Sequence, residues 1–315
     1  MINHLVIYYM RFFLVNIVVF LFCSLTNAQS SDSFQENEET LIQLSKTFLK
    51  DSLVQKRLEA EQAFSSLLQT TLTVEQSFKY PFASLENISI LYPKDSTFRV
   101  FTWQLYVDKE DYRYGGFIQT NTNKVFPLND VSGEIAPYDL EYDILDPTSW
   151  YGAVYFNIHQ FDTKDGRKYL LFGFDGFSFF QKRKILEVLH FDEQEQPVFG
   201  SPSFAKVEAG YDASTKNRLY LEYSAEVAAK LNFDAHLGMI IKDHLIAMRS
   251  PYRGGGMVNI PDGSYEGYAL KDGVWTYIEK VFHQVSERPP APQPILNGKN
   301  DKDLFGKSKK KKGKN

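Results

Sequence analysis

The chain has 315 residues, 43% of them apolar and 23% charged, which excludes a wholly disordered chain and a polytopic membrane protein. Phe, Tyr and Trp make up 15%, a bias toward strands and large apolar contacts. The formal charge of −4 hides a division: residues 1–28 carry only Arg11 (net +1), and the stretch from Lys299 carries eight Lys against Asp301 and Asp303 (net +6), which leaves −11 on the body between them. A body of that sign disfavours non-specific nucleic-acid binding.

Phe12 to Leu25 is an apolar run broken only by Asn16 and Ser24, preceded by Arg11 and followed by Thr26-Asn27-Ala28-Gln29. Those are the parts of a secretory signal peptide, with cleavage expected after Ala28. Met10 offers a second start, and an uncleaved anchor reaching back to Leu5 would bury Arg11. Bulky Phe22 before Cys23 argues against a lipoprotein. Cys23 is the single cysteine, so the exported body can form no disulfide, cysteine-ligated zinc site or cysteine nucleophile.

Residues 33 to 71 read as helix. Leu41, Leu44, Phe48, Val54, Leu58, Phe64, Leu67 and Leu68 recur mostly at three- to four-residue spacing, with no Gly or Pro before Pro81. Ser33 with Glu36 and Ser52 with Gln55 fit capping boxes, which predicts two helices meeting near Asp51-Ser52. Sustained heptads are absent, so a helix packed on a β domain is preferred to a coiled coil.

Beyond Pro81 the period becomes two. Strands are predicted at 88–92, 97–107, 112–118, 150–161, 168–174, 184–191, 218–225, 227–233, 239–245, 264–270 and 274–282, with turns at Asp165-Gly166, Asp175-Gly176, Asp262-Gly263 and Asp272-Gly273. No helix-length crossover separates these strands, so the expected fold is mainly β, an antiparallel meander of sandwich- or barrel-like form with an N-terminal amphipathic helical segment. The division expected is 1–28 signal peptide, 29–80 helical segment, 81–287 β domain and 288–315 tail. The tail opens with Pro289, Pro290, Pro292 and Pro294, a stiff spacer, and ends in Lys307, Lys309, Lys310, Lys311, Lys312 and Lys314. These six lysines are the candidate contacts to an anionic envelope surface.

Strong catalytic motifs are missing, and no cofactor or metal is implied. Ser203-Phe204-Ala205-Lys206 matches S-x-x-K without the companion motifs. His236 and His244 with Asp234 and Asp243 are the densest group of ligand types. His236 is expected at a hairpin tip some 20 Å from His244 at about 3.3 Å per residue, too far for one ion. Asp243 and His244 remain as weak catalytic candidates. Asp139, Glu141, Asp143 and Asp146 imitate a calcium loop, but Ile144 and Trp150 occupy its Gly and Glu positions, so a strand with a solvated acidic face is expected. Asp162 to Gly166 reads as a hairpin turn, and Gly254-Gly255-Gly256 as a mobile loop. His159 and His190 read as core or edge histidines, and Asn87-Ile88-Ser89 is a glycosylation sequon.

The stretches 98–107 and 233–245, and Pro261-Asp262-Gly263-Ser264-Tyr265 running on to Tyr277-Ile278-Glu279, resemble uncharacterised exported proteins of Bacteroidetes-type bacteria. Gln29 at the expected mature start is similar to that group. The resemblance implies a Gram-negative envelope setting, periplasm or cell surface, in which Asn87 is not glycosylated. It implies no activity and no site residues. The function expected is therefore an envelope-associated binding or structural protein with no transmembrane span after cleavage. The alternatives are a periplasmic hydrolase whose site is assembled from distant strands, and an outer-membrane barrel.

Overall fold

The computed structural model describes residues 33–206, 214–250 and 254–282. The expected signal segment, the expected proline spacer and the six tail lysines lie outside them. Residues 33–50 form α1 and Val54–Thr73 form α2, with the expected break between them. The Ser52–Gln55 box does not form. Asp51 instead closes a tight turn, its Oδ1 accepting from the Leu53 amide at 2.8 Å, which makes Leu53 the N-cap, without a side-chain cap. Arg57 then reaches back to the Asp51 carbonyl (2.7 Å) and across to the Tyr106 carbonyl (2.9 Å), tying the break to the first sheet.

That sheet has the order β1 (Ser89–Leu91), β2 (Phe98–Asp108), β3 (Asp111–Thr120) and β4 (Val125–Leu128). After a helical turn, α3 (Pro137–Leu140), comes a second sheet of β5 (Val154–Thr163), β6 (Gly166–Asp175) and β7 (Gln181–Phe191). On the edge of β7 away from β6, the short β8 (Pro197–Phe199) pairs with its C-terminal end and β11 (Leu219–Ser224) with its N-terminal half. The third sheet holds β9 (Phe204–Lys206), β10 (Ser214–Lys216), β12 (Leu231–Asp234), β13 (Met239–Arg249), β14 (Met257–Lys271) and β15 (Val274–Ile278), in the order β10-β9-β15-β14-β13-β12. All pairings are antiparallel except β9 with β15.

Alternation along each strand builds a stack of four layers: helices, first sheet, second sheet, third sheet. Phe101, Trp103 and Leu105 of β2 face α1 and α2, meeting Phe48, Phe64 and Leu68. The Phe64 ring meets Trp103 edge-on at 5.0 Å, and Gly115 is obligatory behind it, since a Cβ there would lie 2.3 Å from the indole. Phe98 and Val100 point the other way, into a core shared with Tyr155, Leu171, Ile185 and Leu189 of the second sheet. Leu170, Phe172, Leu186 and Val188 leave the opposite face of that sheet and meet Phe204, Ile240, Tyr268 and Trp275 of the third. The middle sheet is thus buried on both sides, which requires the apolar runs Tyr169–Phe172 of β6 and Ile185–Leu189 of β7, the latter broken only by Glu187.

The fold is mainly β and sandwich-like, as expected, and its sheets are open, so the barrel alternative is not the architecture. No helix among the described residues is long and apolar enough to cross a membrane. Two expectations are corrected. Residues 139–146 are not a strand: Leu140 ends α3 as a buried anchor, and Asp146 caps the 3-10 turn Pro147–Ser149, its Oδ1 accepting from the Thr148 and Ser149 amides. Asp262-Gly263 is not a turn between strands. It is a bulge inside β14, opposite the register shift between Asp243 and Leu245, with Gly263 at φ 90°. Asp272-Gly273 does turn, with φ of 50° and 83°, the mirror-image geometry that suits a two-residue hairpin.

Glu187 of β7 and Arg218, just before β11, are both fully buried and pair at 2.5 Å between Oε2 and Nε. Removing one partner strands the other as an uncompensated charge. Arg218→Met should therefore lower the unfolding free energy by about 3–5 kcal/mol, and Arg218→Met with Glu187→Leu should recover most of it. Urea denaturation of the three proteins measures both effects, and equal losses for the single and double variants would contradict the pairing.

Candidate functional site

Three hollows of about 450, 380 and 650 Å³ open along the strand ends. The first and second share Asp111, Tyr112, Ser132 and Gly133, and the second and third share Phe177 and Arg183. They therefore adjoin across these shared residues, a row of hollows read as a trough from α2 past the β2–β3 turn and the β6–β7 loop to β11, β13 and β14.

A buried polar network supports its centre. Asp175, at the end of β6, accepts from the Tyr114 phenol at Oδ1 (2.8 Å), the Tyr151 phenol at Oδ2 (2.6 Å) and the Phe177 amide at Oδ1 (2.7 Å). The Gly176 amide donates to the Tyr114 oxygen (2.6 Å). Burial and the adjacent Asp175 carboxylate push both phenols well above the usual tyrosine range, so they stay protonated as donors. Arg183 donates to the Tyr151 oxygen at 3.2 Å and, through Nε, to Glu222 at 2.8 Å. Burial works against its charge, but Tyr151 and Glu222 outweigh that and hold the guanidinium protonated.

The Phe177 ring lies on the Arg183 guanidinium, 3.4 Å from Cζ to the ring centre. Phe177 holds a left-handed backbone, φ 46°, which costs a non-glycine residue of the order of 1–3 kcal/mol. The turn that delivers Asp175 thus also folds a ring over the arginine, where it forms the ridge between the second and third hollows. Lys182 secures the loop by donating to the Gly176 and Ser178 carbonyls, both at 2.8 Å.

Each end has its own chemistry. In the third hollow Glu141 pairs with Lys216, and the Asn259 amide donates to the Glu222 carbonyl at 3.1 Å. In the first, burial raises the Glu61 carboxyl above its ordinary value despite a 3.0 Å bond from the Trp103 indole. Asp130 is raised for the same reason, yet its oxygens accept from the Tyr114, Ser132 and Gly152 amides, a structural clasp. Asp111 pairs with Arg113 at 3.1 Å.

The weak candidates lie elsewhere. Asp243 is buried and accepts from the Lys230 amide at 2.6 Å, while its neighbour His244 is exposed and its Nδ1 lies 2.8 Å from Asp262 Oδ2. The strand sends the two side chains to opposite faces, so they do not share a site. Hydrogen bonds from Ser264 and the contact with His244 hold Asp262 down to about 2. His236 is at the hairpin tip as expected, over an Asp234 carboxylate that accepts from the His236 and Leu237 amides. No group able to hold a metal occurs among the described residues. His159 stacks on Phe233 at 3.6 Å.

Tyr112, Asp175, Phe177, Arg183 and Glu222 escaped the sequence reading. Asp175-Gly176 reads as a simple turn, and Arg183 lies just before the strand predicted at 184–191. One local signal was present: Phe177-Ser178-Phe179-Phe180 is too aromatic for an ordinary loop. Compared with known proteins, the chain matches no family model, no curated sequence and no solved structure.

Phe177→Gly should be more stable than Phe177→Ala by about 1 kcal/mol, because both lose the ring but only glycine accepts φ 46° freely. Paired urea titrations test it. Burial pulls the His159 imidazole below its ordinary value. Its contribution is present above the unfolded value of about 6.5 and is lost as pH falls through the lower folded value. His159→Phe should flatten the stability profile between about pH 7 and 5, which melting temperatures across that range would show.

Proposed function

We propose that the chain is an exported, envelope-associated protein that binds a ligand in the trough and does not transform it. One observation carries this reading: the charged side chains along the trough are already committed to partners within the protein. Asp175 is held by two phenols and an amide, Arg183 by Tyr151 and Glu222, and Glu141 by Lys216. Such a constellation gives a fixed surface of donors and acceptors, which suits recognition. A nucleophile set beside a base is what chemistry would need.

A second reading, a periplasmic hydrolase, is favoured by Glu61 alone. Its raised carboxyl lines the first hollow and suits a general acid. Of the other carboxylates there, Asp111 is paired with Arg113 and Asp130 is clasped by backbone amides, which counts against their use as a base.

The envelope setting is supported by the apolar run 12–25, the small residues before Gln29 and the basic tail. The tail lysines 307, 309–312 and 314 would add attraction to anionic lipid, about 1 kcal/mol each near the surface. Expression of the full chain should yield a mature N-terminus at Gln29 by Edman sequencing of the envelope fraction. The mature protein should sediment with anionic vesicles at low salt, and a truncation after Gly298 should not. An intact N-terminus retained in the cytoplasm, equal sedimentation of both proteins at low salt, or sedimentation unaffected by raising salt to about 0.5 M (roughly threefold above physiological), would defeat the envelope assignment.

A further inference from the structure

We infer that the trough binds an extended, neutral, hydroxyl-rich chain, an oligosaccharide, laid across all three hollows. This rests on the binding reading above and names its ligand class.

Three features of the trough lead there. The first is continuity. Each hollow shares wall residues with the next, so a ligand filling one meets the walls of its neighbour, which suits a chain of repeated units better than a single compact molecule. The second is charge. Three of the carboxylates along the trough are ion-paired, Asp111 with Arg113, Glu222 with Arg183 and Glu141 with Lys216, Asp175 is held by two phenols and an amide, and burial favours the neutral acid form of Glu61. Groups held in this way keep spare lone pairs and N–H groups, which matches hydroxyl groups that donate and accept at once, and the surplus of carboxylates along the walls disfavours an anionic ligand. Fully ionic ligands would compete with these pairs. The third is the ridge: Phe177, flanked along the trough by Tyr112 and Tyr220, presents ring surface on which the C–H face of a sugar can lie. Arg183 fixes the Phe177 ring from beneath at 3.4 Å.

An extended peptide is the rival chain, and the structure argues against it. A peptide adding to a sheet needs free edge amides. The β3 edge beside the first hollow has its Tyr114 amide taken by the Asp130 carboxylate at 2.8 Å, and the Gly152 amide is taken by the same side chain at 3.2 Å.

The experiment is isothermal titration of the mature full chain with neutral di-, tri- and hexasaccharides of glucose (α-1,4 and β-1,4), xylose and mannose, and with a lysine-rich hexapeptide. At least one saccharide series should bind, with the hexamer at least tenfold tighter than the dimer. Phe177→Ala and Tyr112→Ala should each weaken it at least tenfold while circular dichroism stays unchanged. His236→Ala, at a distant hairpin tip, should leave it unchanged. Tyr112 lies at a surface wall, so its variant keeps the test decisive should Phe177→Ala fold poorly. Absence of binding by every saccharide overturns the inference, as does binding that ignores both aromatic variants or does not grow with length. Binding of the hexapeptide alone, abolished by Phe177→Ala, would overturn the sugar class and leave the binding reading standing. Chromatography of the recovered saccharides separates the other case: shortened products would overturn the non-enzymatic reading and leave the ligand class intact.

Discussion

Arg218 and Glu187 carry opposite charges through a layer that offers them no water. Each is wholly buried, and the arginine spends one further N–H on the Leu140 carbonyl. Burial raises the Glu187 carboxyl while Arg218 pulls it down, so the pair stands close to the limit of what a dry interior sustains. Arg218 Nη2 has no hydrogen-bond partner among the described residues, so the pair is not optimal as a source of stability. What it does achieve is placement. The backbone amides of Asn217 and Arg218 both donate to the Glu141 carbonyl, at 2.8 and 3.2 Å, and Lys216 then meets the Glu141 side chain. An irregular connection is thereby fixed against the middle sheet, and the wall of the largest hollow follows from it.

The same constraint recurs wherever a charge enters the stack. Arg99 of β2 has no carboxylate partner among the described residues. It donates to the Ser77 and Tyr80 carbonyls, the Gln119 amide oxygen and the Tyr92 phenol, among the rings of Phe78, Phe82 and Phe101. Burial lowers its pKa from the ordinary arginine value, but hydrogen bonds and π faces carry the charge. The arginine thus fastens the segment between α2 and β1 to the first sheet, a job an apolar residue could not do for carbonyls that need donors. Glu38 of α1 does the converse, accepting from the Ser84 and Leu85 amides in the same connection.

Much of the architecture was readable in the sequence because its signals are local. The break between α1 and α2, the hairpin at Asp272-Gly273 and the tip at His236 each depend on a few adjacent residues. What was hidden depends on partners far away. Phe98 to Leu105 alternates cleanly, yet both of its faces are buried, and only the layers above and below reveal that. β8, β9 and β10 have three residues each, too few for a period to register. Asp262-Gly263 misleads for a physical reason, since a bulge and a turn both need a residue that accepts positive φ. The trough was least legible of all. Its walls come from α2, three sheets and three connections, and each residue has an ordinary role in its own segment.

Rigidity links this hidden assembly to its use. A loop that must hold a non-glycine residue at positive φ would relax if it were free, and Phe177 does not because three constraints act on it together. Asp175 receives its amide, Lys182 ties the carbonyls on either side, and Arg183 lies against its ring. The cost of ordering that ring is therefore met during folding, not at the moment a ligand arrives. For a polar ligand this matters more than for a greasy one. Hydroxyl groups exchange water hydrogen bonds for protein ones at little net gain, about 1 kcal/mol each, so an immobilisation cost of similar size per contact would cancel the affinity. A wall whose side chains are already fixed by one another avoids that loss, and the internal pairing of the trough's charges is what fixes them.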